Sequence, residues 1–218
     1  MIVVNNDDPD SDYGARHLAA AFARFSDTSV VSPLAGFAPA RAWLREQRAD
    51  ALVLSGSDRS VTAALPWMLE EEDLLRACVE AHVPVLAICF AHQVLGKAFG
   101  VDVVVGQKRI GLLPIVPLGN DAAFAGLGPA VVVPEQHGDR LSRVPDGFLL
   151  IATSDYCEVQ AIRHSRAPVY GMQFHPCYGE DVLDYDDAWK DTGLRGRFRH
   201  DGGTILDNVA GVFAAHLR

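Results

Sequence analysis

The chain has 218 residues, 49% of them hydrophobic and 22% charged, enough apolar material for one well-packed core, so a single domain over 1–218 is expected. A net charge of −9 argues against nucleic acid as a partner, because a phosphate backbone needs a basic footprint. No stretch approaches the roughly 20 unbroken apolar residues that span a bilayer. The opening "MIVVNNDDPDSD" lacks the basic and apolar regions of a signal peptide, so a soluble, cytoplasmic protein without membrane contact is expected.

In chain order, short aliphatic runs alternate with amphipathic segments. "IVV" (2–4) reads as a strand and 13–25 as an Ala- and Leu-rich helix. A strand over 28–32 and a helix over 39–48 follow, then a strand over 49–56 that ends at glycine. A helix over 65–82 stops before Pro84, "VLAI" (85–88) is a buried strand, and a helix over 90–100 ends at Gly100. This alternation predicts a mostly parallel open sheet with helices on both faces, whose ligands sit beyond the strands' carboxyl ends.

The second half changes character. "VDVVVG", "IGLLPIVPL", "AVVVPE", "FLLIATS", "EVQAIRH" and "VYGMQFH" are short β-rich runs joined by turn residues, read as added antiparallel strands and the remaining central ones. Residues 178–203 are charged and read as a surface excursion, in which "RGRFRH" (195–200) balances a solvated face. A closing helix is expected over 203–218.

Four cysteines, Cys78, Cys89, Cys157 and Cys177, lack metal or redox spacing, and no metal or other cofactor is expected. Cys89 stands where the fourth strand meets a helix. There a thiol is lifted toward the crevice near a helix N-terminus, which lowers its pKa, and the Phe90 N–H is free to bind an oxyanion. Gly56, ending the neighbouring strand, offers a second donor. His175 closes an apolar strand and can reach the same edge, making a Cys–His dyad; taken singly, each side chain also fits a structural role.

"LAICFAHQVLGKAFG" resembles the nucleophile segment of class I glutamine amidotransferases, and "EQHGDRLSRVPDGFLLIATSDYCEVQAIRHSRAPVYGMQFHP" resembles their long C-terminal signature. "VLSGS" (53–57) occupies the oxyanion-glycine position and "QKRIGLLPI" (107–115) the strand pair between. The resemblance covers nearly the whole chain in order, and its His-Gly-Asp form is most like the amidotransferase domain of GMP synthetase. It implies a flavodoxin-like α/β fold of the class I amidotransferase type. It also implies that Cys89 attacks the side-chain amide of glutamine, with His175 as acid and base and Gly56 and Phe90 as oxyanion donors. Gln93, Gly138 and Asp139 would then bind the glutamyl group, while His92 and His137 are structural. A separate synthase subunit would receive the ammonia.

The sequence departs from the family at three places. Ala87 and Ala91 stand where the elbow normally has glycines, and Cys177 stands where a glutamate two residues after the histidine orients it. Either the dyad suffices, or Glu180 or Asp181 folds back to replace the acid, or the site is degenerate or its substrate changed. The alternatives to an amidotransferase-like protein are a free-standing γ-glutamyl hydrolase or peptidase, a catalytically degenerate binding or scaffold protein, and other cysteine chemistry on the same fold. The acidic segment 178–191 would cover the crevice, dock a partner or lie solvated.

Overall fold

The computed structural model describes residues 1–7, 11–33, 36–46 and 50–217; residues 47–49 and 218, the ends of the expected helices over 39–48 and 203–218 and the start of the expected strand over 49–56, lie outside them. The order is β1 (Ile2–Val4), α1 (Tyr13–Phe22), β2 (Ser29–Val31), α2 (Ala38–Arg45), β3 (Leu52–Leu54), α3 (Pro66–Glu80), β4 (Val85–Ile88) and α4 (Phe90–Ala98). Then come β5 (Val103–Val104), β6 (Arg109–Pro117), β7 (Val131–His137), β8 (Arg140–Leu141), β9 (Phe148–Thr153), β10 (Ala161–His164) and β11 (Val169–Met172). The short α5 (Val182–Tyr185) and α6 (Asp187–Lys190) and the long α7 (Gly202–His216) complete the chain.

A nine-stranded sheet runs β2-β1-β3-β4-β11-β10-β9-β6-β7, and β5 pairs with β8 apart from it. The strands β2, β1, β3, β4 and β11 are mutually parallel, and β10, β9, β6 and β7 add antiparallel pairs, as the sequence predicts. The runs of β1, β3, β4 and β11 are buried at every position, the pattern of strands covered on both faces.

Alternate side chains feed two core layers. Leu52, Leu54 and Ala87 join Leu75 of α3 and Val94 of α4 on one face. Val53, Leu86 and Ile88 join Leu18 and Phe22 of α1 and Phe213 of α7 on the other. Pro66 opens α3, where its missing N–H is no loss. The helix α4 lies close on β11 because residue 171 is glycine: a Cβ there would stand 2.5 Å from His92 Nδ1.

The helices end two or three residues sooner than expected, α1 at Phe22 and α4 at Ala98, where terminal turns fray into bends. The segment after His175 is no solvated loop. It folds into α5 and α6 and builds its own apolar cluster of Tyr13, Val182, Leu183 and Trp189, the last fully buried. Within it Arg195 does pair with Asp184, both exposed. Among the described residues no helix is long and apolar enough to cross a membrane.

Candidate active site

The parallel register of β4 and β11 pairs Ile88 with Met172, so the residues that leave both strands emerge side by side. Cys89 takes φ +50° and ψ −103°, a left-sided conformation that side chains rarely adopt. Its N–H donates to Met172 O at 2.7 Å and its carbonyl accepts from Gln93 N at 3.1 Å, tying the turn to β11 and to the first turn of α4. Strain of this kind costs about 1–3 kcal/mol and persists where surrounding structure over-determines it. The positive φ falls on the cysteine itself, so Ala87 in β4 and Ala91 in α4, both fully buried, keep ordinary strand and helix geometry.

Gly56, two residues beyond β3, meets this elbow. A Cβ there would stand 2.9 Å from His175 Cε1, 3.6 Å from its Nδ1 and 3.4 Å from Cys89 Cβ. Gly56, Cys89 and His175 are thus brought together from three parts of the chain. His175 is anchored by its backbone N–H to Pro134 O of β7 at 2.8 Å. Its Nε2 is buried and has no hydrogen-bond partner.

Beyond the thiol opens a cleft of about 230 Å³ lined by Cys89, Phe90, Gln93, Lys108, Gly138 and Asp139. Gln93 Nε2 donates to Asp139 O at 3.0 Å and to Gln173 Oε1 at 3.2 Å, and Gln173 Nε2 lies 3.5 Å from Cys89 Sγ. Asp139 Oδ2 accepts from the Ser60 hydroxyl at 2.7 Å. Every position that the sequence nominates for oxyanion and glutamyl contacts therefore lines this cleft or adjoins Cys89 and His175.

The electrostatics differ from the expectation that a helix N-terminus depresses the thiol. Burial pushes the Cys89 thiol well up, the Glu135 carboxylate adds to the rise, and the Phe90 N–H only partly offsets it. His175 is pushed down to about 3, first by burial and then by His137, against a backbone hydrogen bond at Gln136. The resting pair is a neutral thiol beside a neutral imidazole.

Of the acids proposed in place of the family glutamate, neither reaches His175. Glu180 is exposed and accepts from Gly196 N, because the turn after Tyr178 carries it outward. Asp181 accepts from Tyr13 Oη at 2.7 Å and lies 3.1 Å from His17 Nε2. Cys177 lines a pocket with His175, its thiol 3.9 Å from Gly14 O and pushed up to about 12 by burial. The ring stacked on His175 belongs to Tyr178, with centroids 4.2 Å apart and planes 24° from parallel.

Three neighbours were not nominated as site residues: Glu135 and Gln173, although both lie within the C-terminal signature segment, and Tyr178, which follows it. The Glu135 carboxylate is fully buried in β7, accepts from Tyr156 Oη at 2.8 Å and lies 3.0 Å from His137 Nε2, off the line of a hydrogen bond. His137 Nδ1 in turn lies 3.1 Å from Asp139 O. His137, though buried, forms part of the cleft wall, whereas His92 is enclosed under Gly171. Among the described residues no group of three or more His, Cys, Asp or Glu is placed to hold a metal ion.

Comparison with known proteins matches residues 18–181 to the family profile Glutamine amidotransferase class-I, more than half of the chain. The chain is 35% identical over 144 residues to a glutamine-hydrolyzing GMP synthase subunit from Methanopyrus kandleri, covering 63% of this chain and 74% of that protein. It is 41% identical over 118 residues to the same-named protein of Pyrococcus furiosus, covering 51% of this chain and 63% of that one, less than two thirds of its length. In fold it resembles a glutamine amidotransferase from Thermotoga maritima, at TM-score 0.77, 17% identity and coverage of 100% of this chain and 97% of that one. It is also similar to one from Methylobacillus flagellatus, at TM-score 0.75 and 20% identity, covering 98% and 92%.

Proposed function

The chain belongs to the class I glutamine amidotransferase family, and from that premise we propose that it hydrolyses the side-chain amide of glutamine or a γ-glutamyl compound through a thioester on Cys89. The observation that carries this reading is the strained turn at Cys89, packed against Gly56 and the His175 ring at the mouth of a polar cleft. The whole chain is read as one amidotransferase-like unit.

In this mechanism the neutral thiol passes its proton to the His175 imidazole as sulfur attacks the amide carbon. Concerted transfer suits a site where burial disfavours both the free thiolate and the free imidazolium. The developing oxyanion accepts from the backbone N–H groups of Gly56 and Phe90. As the intermediate collapses, the amide nitrogen takes the proton from His175 and leaves as ammonia. Water, deprotonated by the same imidazole, then opens the thioester to glutamate and returns the proton to sulfur.

Gln93, Gly138 and Asp139 hold the amino-acid end of the glutamyl group. Their arrangement supports this: Gln93 is fixed on Asp139 O, and Asp139 is fixed by Ser60. The likeness to GMP synthase subunits, whose name marks them as one part of a larger enzyme, supports delivery of the ammonia to a separate synthase chain.

Mass spectrometry of the intact protein after brief exposure to glutamine, and separately to a γ-glutamyl amide, tests the reading. The expected result is a glutamyl adduct on Cys89 that Cys89→Ala abolishes. Absence of any adduct from either donor, with the protein folded, refutes it and leaves a binding or scaffold role. Faster release of an alkylamine than of ammonia, without a partner present, identifies the free-standing hydrolase instead.

A further inference from the structure

We infer that Tyr178 is the positioning residue of the catalytic imidazole, its ring standing in for the carboxylate that Cys177 does not supply. The inference rests on the amidase reading of Cys89 and His175. In family members the acid holds the histidine ring in one orientation and stabilises its charged form. Here both tasks lack an acid: Glu180 is bound to Gly196 N, Asp181 to Tyr13 and His17, and His175 Nε2 is buried without a partner.

The phenol ring supplies a surface for both. It lies nearly parallel to the imidazole at 4.2 Å, so rotation of His175 about its ring bond would drive one ring into the other. When the thiol proton arrives, the imidazole becomes a cation against a π face in a site from which water is largely excluded, a contact worth more there than at a surface. That attraction exists only in the charged form, so it favours proton transfer over rest.

Tyr178 is itself held firmly. Its N–H donates to His175 O at 3.2 Å, and its carbonyl accepts from His200 Nε2 at 2.8 Å. Its ring meets Tyr13 edge-on at 5.3 Å and 80°, and Trp189 at 6.0 Å and 71°. Trp189 Nε1 donates to Gln136 Oε1 at 2.6 Å, fastening α6 to β7 beside the site. The packed segment after His175 thereby acquires a purpose: its aromatic cluster braces the ring stacked on the base.

Four proteins test this: wild type, Tyr178→Phe, Tyr178→Met, and Tyr178→Met combined with Cys177→Glu. Methionine is chosen because its unbranched chain fills the volume without a ring. The readouts are the rate of Cys89 alkylation by iodoacetamide at neutral pH, which needs only the dyad, and kcat and KM for glutamine. Tyr178→Phe should stay within about twofold of wild type, since the π face remains. Tyr178→Met should lose about thirtyfold in alkylation rate and kcat, with KM and the thermal midpoint little changed. The added carboxylate should return most of the loss, which a packing role would not allow. Wild-type alkylation in Tyr178→Met, or an unrecovered loss in the double variant, overturns the inference. If alkylation follows the expected order but wild type releases no glutamate, the amidase reading fails and the positioning role stands.

Discussion

Replacing Gly56 with alanine places one methyl group where Cys89 and His175 leave no room for it. The new Cβ would lie 2.9 Å from His175 Cε1, whereas ordinary contacts begin near 3.4 Å, the distance it would keep from Cys89 Cβ. The imidazole must therefore retreat by about half an ångström, and Tyr178, stacked at 4.2 Å, limits where it can go. Misplacement of a reacting group by about 1 Å is worth roughly a hundredfold, so half that distance implies about tenfold. The methyl also crowds the space where an oxyanion would meet the Gly56 N–H, so the combined loss in kcat should be roughly 10- to 100-fold. Gly203→Ala, at a position with nothing within 4 Å, is the control. The assay is glutamate release under saturating glutamine, with thermal unfolding to confirm that both variants fold. Wild-type kcat in folded Gly56→Ala would show that Gly56 and His175 do not meet during turnover, and the proposed mechanism would fall with it.

Other outcomes follow from the buried charges. Glu71 is fully enclosed, bonded to Asn6 Nδ2, and pushed by burial from 4.5 up to about 8. The folded state thus holds a proton that the unfolded chain releases, and wild-type stability should fall as pH rises from about 4.5 toward 8. Glu71→Gln, which can also donate to the unpartnered Asn6 Oδ1, should remove that slope and gain about 3 kcal/mol at pH 7 in urea unfolding, with little change at pH 4. Equal pH slopes in the two proteins would contradict it. Glu135→Gln should move the pH dependence of Cys89 alkylation to lower pH, because the carboxylate raises the thiol; an unmoved curve would place the charge elsewhere. Since His175 stays neutral down to about 3, kcat/KM for glutamine should show no acid limb from this group between pH 8 and pH 5. A midpoint near 6.5 that His175 alone explains would refute its burial.

Much of the scaffold was legible because its strands are pure aliphatic runs. Ile2–Val4 and Val85–Ile88 are buried at every residue, and their lengths match the sequence reading to the residue. The convergence of Gly56, Cys89 and His175 was also readable, since each follows a strand whose carboxyl end borders the same crevice. What stayed hidden depends on side-chain direction and burial. Helix-terminal position suggested a lowered thiol, but depth and the Glu135 charge outweigh one N–H. Glu180 looked close to His175 along the chain, yet the turn after Tyr178 points it outward. Tyr178 resembled any loop aromatic until α6 and Tyr13 closed around it.

A sulfur kept as S–H at rest also escapes most of what damages reactive cysteines. Peroxide climbs the sequence from sulfenic to sulfonic acid by way of the thiolate, so a site that withholds that anion is slow to enter it. Because Cys89 is nearly closed off as well, its sulfur is shielded from peroxide by burial in addition to its protonation. In the proposed mechanism its reactivity arises only when a substrate carbonyl is in place for sulfur to attack as His175 takes the proton, which makes the substrate, and not the redox state of the surroundings, the trigger.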